Sequence, residues 1–303
     1  MLIQSEFDIQ FHLPAPLTMV AMLNVHPTVF PLLRKPDVLT IEHITQDAKT
    51  VLGAQHYTDS FGNCCARFSS PEGTLRLSGS HVVEMADEPE ALDMAAEPHL
   101  IANLPSDTIQ FLLNSRYCQV DLLSHIARDL FGATTAGMPC AIAIRDWVHD
   151  HLRFDYASAR PTKTALDVYS ERVGVCRDFQ HLAIALTRAM NIPARYVTGQ
   201  LGDIRIPYSG PGDFSAWYEV YLGNRWWTMD ARHNVPRVGR ILMAAGRDAT
   251  DVAITTSFGV ADLKHFYVES NEVNADGTRV PLPPGPTGAA SGLHIVPSQT
   301  SAA

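Results

Sequence analysis

The chain of 303 residues is poor in cysteine, and its five cysteines (Cys64, Cys65, Cys118, Cys140 and Cys176) are an odd number. In a chain of this length that argues against a disulfide framework. Neither a CxxC pair nor an HExxH motif occurs, and adjacent Cys64 and Cys65 among scattered histidines do not make a zinc spacing. No metal and no cofactor is therefore expected, and buried inert thiols are the plain reading of four of the five. Phosphate loops are missing too: the stretches GTLRLSG and GPG have neither a following Lys-Ser/Thr nor the GxGxxG spacing. There is no dense Lys/Arg block, and the formal net charge is −9 with a pI near 5.8. Such a surface gives no help to binding a phosphate backbone, so nucleic acid is not an expected partner. No apolar run reaches the roughly 18 residues of a membrane span, and the opening MLIQSEFDIQFHL lacks the basic-then-apolar order of a secretory signal. The expectation is a cytoplasmic protein with no membrane partner.

What is present is a globular composition, 46% hydrophobic, arranged in two styles. Up to about residue 85 the chain reads as short, partly alternating strands such as IQSEFDIQFHL, DVLTIEHITQ, CCARFSS and GTLRLSGSHVVEM, broken by turn residues. A small antiparallel β domain over 1–88 is expected. Near Pro89 the pattern changes. Helical stripes run through Val120, Leu123, Ile126, Ala127, Leu130 and Phe131, then through Ile144, Trp147, Val148 and Leu152, then from Cys176 to Met190. Asn191-Ile192-Pro193 stops the third helix, since a residue ahead of proline is pushed away from helical angles. Strands follow, among them ARYVTGQL and a hairpin, Phe214 to Asp230, turning at Gly223-Asn224. Helices first and antiparallel strands later give an α+β domain over 89–280. The tail 281–303 has too few apolar residues to repay its ordering entropy and is expected to be disordered.

The chemistry is expected in GVCRDF, residues 174–179. Cys176 stands where a helix begins, and the unpaired N–H groups and dipole of such an end favour a thiolate and can meet an oxyanion. The plainer alternative is an ordinary structural cysteine near a helix end.

Three stretches carry a family resemblance: GVCRDFQHLAIALTRAMNIPARYVTGQL (174–201), FSAWYEVYLGNRWWTMDARHN (214–234) and the preceding WVHDHLRFDYASARPTKTALDVYSERV (147–173). Together they resemble bacterial transglutaminase-like proteins, a group that includes cysteine-protease-like members, and the first 85 or so residues are similar to the N-terminal β domain of that family. The resemblance implies a papain-like core, with a cysteine at a helix start and then a histidine and an aspartate on successive strands. Cys176 matches the cysteine and Asp230 the aspartate. Where the family has histidine before Ala-Trp, this chain has Ser215 before Ala216-Trp217. A serine hydroxyl is no proton acceptor at neutral pH.

Hairpin arithmetic, with Leu222 opposite Arg225, sets Asp230 opposite Trp217 and diagonal to Ser215 on one face. His233 is then the nearest histidine able to replace the missing base, provided the chain turns after Ala231, because strand parity alone points residue 233 away. His151 and His181 are further alternatives. His181, five residues past Cys176, is about 500° around the helix and poorly directed. Arg232 has the parity to lie opposite Ser215, where it could hold an anionic substrate or pair with Asp230, and Trp217 could wall a groove; Ser215, Trp217 and Arg232 are the expected substrate-binding residues. The expected activity is amide hydrolysis or acyl transfer through a Cys176 thioester, on a peptide or small amide. The alternative is a binding or scaffold protein that kept the fold after losing its base. Homo-oligomer formation is left open.

Overall fold

The computed structural model describes residues 1–285. Its first unit is an antiparallel β sandwich. One sheet has the order Asp262–Val273, Leu2–Leu13, Gly73–Glu84, Leu33–Ile44, Lys49–Val51, and the other Thr255–Ser257, Leu17–Ala21, Cys64–Ser70, Gln55–Thr58. The first strand shows why these segments form sheets. In LIQSEFDIQFHL every second residue is buried from Ile3 to Leu13, while Gln4, Glu6, Asp8 and Gln10 stay on the wetter face. Phe7, Ile9 and Phe11 from one sheet and Leu17, Met19 and Phe68 from the other build a shared core. The one polar residue on the buried face, Ser5, is satisfied by Ser270 Oγ at 2.8 Å.

That last contact corrects the expected division of the chain. The β unit is not confined to residues 1–88: the strands Thr255–Ser257 and Asp262–Val273 return to it and pair with Leu17–Ala21 and Leu2–Leu13. The reading of 89–280 as one continuous domain missed this because a strand completing a distant sheet has no local signature. The tail expectation concerns 281–303, of which 286–303 lie outside the described residues; 281–285 have no regular secondary structure.

The second unit is α+β, as expected. Its helices are α1 (Val120–Phe131), α2 (Met138–His151), α3 (Ala165–Glu171) and α4 (Cys176–Ala189). α4 packs on a four-stranded antiparallel sheet in the order Arg225–Met229, Phe214–Leu222, Ala194–Gln200, Ile241–Gly246, and α1, α2 and α3 pack on α4. α3 is closed by a capping box, Thr164 with Asp167. α4 ends at Ala189, and Asn191 takes a left-handed φ of 62°, which turns the chain directly into Ala194–Gln200. Leu182, Ala183, Leu186, Ala216, Tyr218 and Val220 are all buried between helix and sheet. Among the described residues no helix is long and apolar enough to cross a membrane.

The two units are stitched together by the loop between Gln200 and Phe214. A Cβ on Gly202 would stand 1.9 Å from the Ser270 carbonyl oxygen, and one on Gly212 2.0 Å from that of Val268. Both loop ends therefore lie flat on the returning strand Asp262–Val273. Gly202→Ala should lower stability by about 1–3 kcal/mol, because backbone rather than a yielding side chain fills the space. Gly53→Ala, which meets nothing within 4 Å, should stay within about 0.5 kcal/mol of wild type. Urea midpoints of the two variants check this, and equal midpoints would refute the clamp.

Candidate active site

Chain direction brings the candidate residues to one place. α4 and Ala194–Gln200 are joined by a tight turn, so the start of the helix lies by the end of that strand. Gln200 pairs with Phe214, and Met229 with Tyr218. The start of α4, the start of Phe214–Leu222 and the end of Arg225–Met229 thus share one end of the helix–sheet layer. A direct bond confirms it: Gln180 Nε2 donates to the Ala216 carbonyl at 3.2 Å.

Local sequence sets Cys176 at the first position of α4. Gly174 leaves room for Asp178, whose Cβ would be 2.6 Å from any Cβ there. Asp178 Oδ2 accepts the Val175 N–H at 3.0 Å and closes the helix start. Cys176 is half-buried, as is Cys64; the other three cysteines are buried, and all five are free thiols. Here the expectation of a stabilised thiolate meets a correction. Burial raises the Cys176 pKa and the Asp213 and Asp178 charges add to the rise, against the Arg232 charge and the Arg177 N–H. In the resting protein the thiol keeps its proton.

Asp230 is the hub of the opposite wall. The hairpin has the expected register, Leu222 opposite Arg225, and turns through Gly223 and Asn224, both at positive φ. Its ladder ends at Met229, and the chain then folds over at once: the Asn234 N–H reaches back to the Asp230 carbonyl at 3.0 Å. This turn cancels the strand parity that pointed His233 away. Asp230 Oδ1 accepts from the N–H groups of Arg232 and His233, at 3.0 and 3.1 Å, and from Gln180 Nε2 at 3.1 Å. Oδ2 accepts from His233 Nδ1 at 2.9 Å and from Arg240 Nη2 at 2.7 Å. Burial alone would raise this carboxyl; the His233 hydrogen bond and the Arg240 charge instead hold it far below the usual carboxylate range. Gln180 lies one helical turn beyond Cys176, on the same face, so Asp230 is tied to the helix that carries the thiol.

The other candidates fall in different places. Ser215 is half-buried opposite Gly199 in the ladder. Trp217 is 2% exposed and packs with Val197 and Ala245, so it is core and not a groove wall. Its strand is covered on both faces, which an alternating sequence does not reveal. The Arg232 guanidinium lies over the Phe154 ring, 4.0 Å from its centroid. His181 is buried, stacked on Tyr117 at 4.8 Å, and its Nε2 accepts the Ala249 N–H. His151 stacks on Trp147 at 4.2 Å. Neither ring is free for the thiol. Sequence reasoning missed His149, whose Nδ1 meets the Ala231 carbonyl at 3.1 Å, and Arg240, which sits 10 residues beyond Asp230 in an unremarked PRVGR segment. It also missed Asp213, although the charge directly before a strand start was a usable signal. Among the described residues no group of three or more His, Cys, Asp or Glu side chains converges as a metal cage.

Residues 124–231 match the transglutaminase-like superfamily model. An uncharacterized protein of Mycobacterium leprae is 27% identical over 218 residues, 68% of this chain and 78% of that protein. The crystal structure of a "putative cysteine protease" from Cytophaga hutchinsonii superposes with a TM-score of 0.76 at 29% identity, covering 92% of this chain and 93% of that one. The latter likeness includes the β unit as well as the α+β unit.

The saturated Asp230 carboxylate has a stability consequence. A folded pKa below the unfolded value of about 3.9 gives stability that is present above that value and lost as pH falls toward the folded pKa. Asp230→Asn should therefore cost about 3 kcal/mol at neutral pH. Its deficit against wild type should shrink once pH drops below about 4. Urea midpoints taken across that range test this; a constant deficit would contradict a depressed carboxyl.

Proposed function

The chain carries a transglutaminase-like domain, and from that premise we propose that it is a thiol-dependent amide hydrolase or acyl transferase working through Cys176. The observation that carries this reading is the Asp230–His233 pair at 2.9 Å, tied through Gln180 to the helix that begins with Cys176. With Nδ1–H donated to Asp230, the His233 lone pair is left on Nε2, the state a general base needs. Cys176 Sγ attacks the amide carbonyl as its proton passes to His233. The oxyanion that develops is met by N–H groups at the start of α4. The amine leaves with the proton, and water or a second amine takes the acyl group from the thioester. Hydrolysis is favoured over transfer, because transfer requires that water be kept out while an amine enters. The substrate is a peptide or small amide, and Arg232 is the group to meet an anionic portion of it. Free thiols at all five cysteines fit a reducing, cytoplasmic setting.

A second reading has its own support. Ser215 supplies no base, and burial together with the Asp213 charge raises the Cys176 pKa. These are the marks expected of a scaffold that kept the fold and lost the chemistry.

Acetylation by p-nitrophenyl acetate separates the two. Catalysis requires a burst of about one p-nitrophenolate per chain, absent in Cys176→Ala, slowed about 100-fold in His233→Ala and little changed in Ser215→Ala. A chain with no burst, or one whose burst survives Cys176→Ala, is the scaffold.

A further inference from the structure

A strand edge with free backbone groups attracts further strands, and native sheets cover or blunt such edges. The three larger sheets have six edges, and five are covered or short. The outer side of Asp262–Val273 lies under the Gly202 and Gly212 backbones, and its Glu272 carbonyl accepts the Val280 N–H at 2.9 Å. On Ile241–Gly246 the Leu242 carbonyl accepts the His26 N–H, and the Asn63 side chain bonds both backbone groups of Ala245. On Arg225–Met229 the Thr228 N–H donates to Glu90 Oε2 at 3.0 Å. Lys49–Val51 and Thr255–Ser257 are only three residues long, and the first carries a lysine.

The sixth edge, Gln55–Thr58, has no such protection. It pairs with Cys64–Ser70 on one side, and among the described residues its other side makes no backbone hydrogen bond. All four residues are exposed, and the sequence QHYT holds no proline, lysine or acid. Beside this edge opens a cleft of about 680 Å³ whose walls include Phe30, Leu33, Val38, Leu39, Tyr57 and Cys64. Phe30, Val38 and Tyr57 are 48%, 59% and 40% exposed, so apolar side chains gather where backbone groups are also unpaired. That coincidence marks an interaction surface rather than scattered surface apolars. The nearby carboxylates are committed inward. Asp59 accepts from the Phe61 N–H and from the N–H and Nδ2 of Asn63, and Asp37 accepts from the Val25 N–H and Asn24 Nδ2.

We propose that Gln55–Thr58 is a dimerisation edge, pairing antiparallel with the same strand of a second copy of this chain. A two-fold axis perpendicular to the joined sheet requires one residue to face itself. Centred on Tyr57, the pairing sets Tyr57 against the partner's Tyr57, His56 against the partner's Thr58, and Gln55 against the partner's Asp59. No like charges meet. Residues opposite each other share a face, so the partner's Tyr57 lies over the cleft that Tyr57 lines, beside Phe30 and Val38. A second copy suits this edge better than a foreign strand does. A foreign strand would bring an unpaired outer edge of its own, whereas two-fold pairing uses both open edges and closes at two chains. With a formal net charge of −9, two copies repel over most of their surface, and an edge without charge is where they can meet.

The test is sedimentation equilibrium of the full chain, with folding followed by circular dichroism. The wild type should approach twice the 33.3 kDa of one chain by about 100 µM. Tyr57→Lys and Tyr57→Glu each set like charges against one another at the axis and should weaken the dimer at least about 100-fold. Mixed in equal amounts, the two variants should recover it, because a lysine then faces a glutamate. A merely damaged fold would not be rescued in this way. A wild type that stays monomeric at that concentration overturns the proposal and leaves the edge to a foreign strand. A dimer indifferent to both substitutions lies on another face, and a mixture that fails to reassociate shows that Tyr57 does not face itself; either result overturns the proposal as well.

Discussion

The rest of the site depends on one buried charge. Asp230 accepts five hydrogen bonds, from His233 twice, the Arg232 N–H, Gln180 and Arg240. An isolated carboxylate in that position would be expensive, and removal of any one partner leaves part of the cost uncompensated. The same bonds stop the hairpin at Met229, turn the chain over Asp230 and hold the His233 ring. The end of Arg225–Met229 is therefore built for the charge rather than for a longer ladder. A consequence is that the acid cannot be removed to probe chemistry alone, because folding and orientation share it.

Much of this was legible in the sequence. The Cys176 helix, its stop at Asn191-Ile192-Pro193, the hairpin register and the α+β order all follow from local rules of period, capping and turn chemistry. What was hidden depended on contacts remote in the chain. Strand parity is a rule for residues inside a ladder; it fails at His233 because Asp230 draws the Arg232 and His233 N–H groups into a turn. Trp217 looked like a groove residue because FSAWYEVYL alternates, yet both faces of its sheet are covered. The return of Asp262–Val273 to the first sheet had no local sign, since its partner strand Leu2–Leu13 is some 260 residues away. Thiolate stabilisation by a helix start was a sound local argument. It was outweighed by burial and by the Asp213 charge, neither of which has a local sign in the sequence around Cys176.

The β unit thereby becomes part of the site rather than an appendage. Its last strand presses on Gly202 and Gly212, and its core takes up Phe214. A shift of that strand would move the start of Phe214–Leu222, which lies at the same end of the helix–sheet layer as Cys176. Sub-ångström tolerances of this kind are typical of close-packed interiors. They give a physical reason for the likeness to the Cytophaga hutchinsonii structure to extend across both units.

The central claim is that Asp230 selects the His233 tautomer that leaves Nε2 as proton acceptor. Its most direct measurement is the two-bond 15N–1H correlation spectrum of the His233 ring in the wild-type protein, recorded at about pH 8, where an unperturbed imidazole is neutral. The expected result is a protonated, pyrrole-type Nδ1 beside Asp230 and a bare, pyridine-type Nε2. A His233 ring with its proton on Nε2 and its Nδ1 lone pair toward Asp230 would contradict the claim and remove His233 as the base for Cys176.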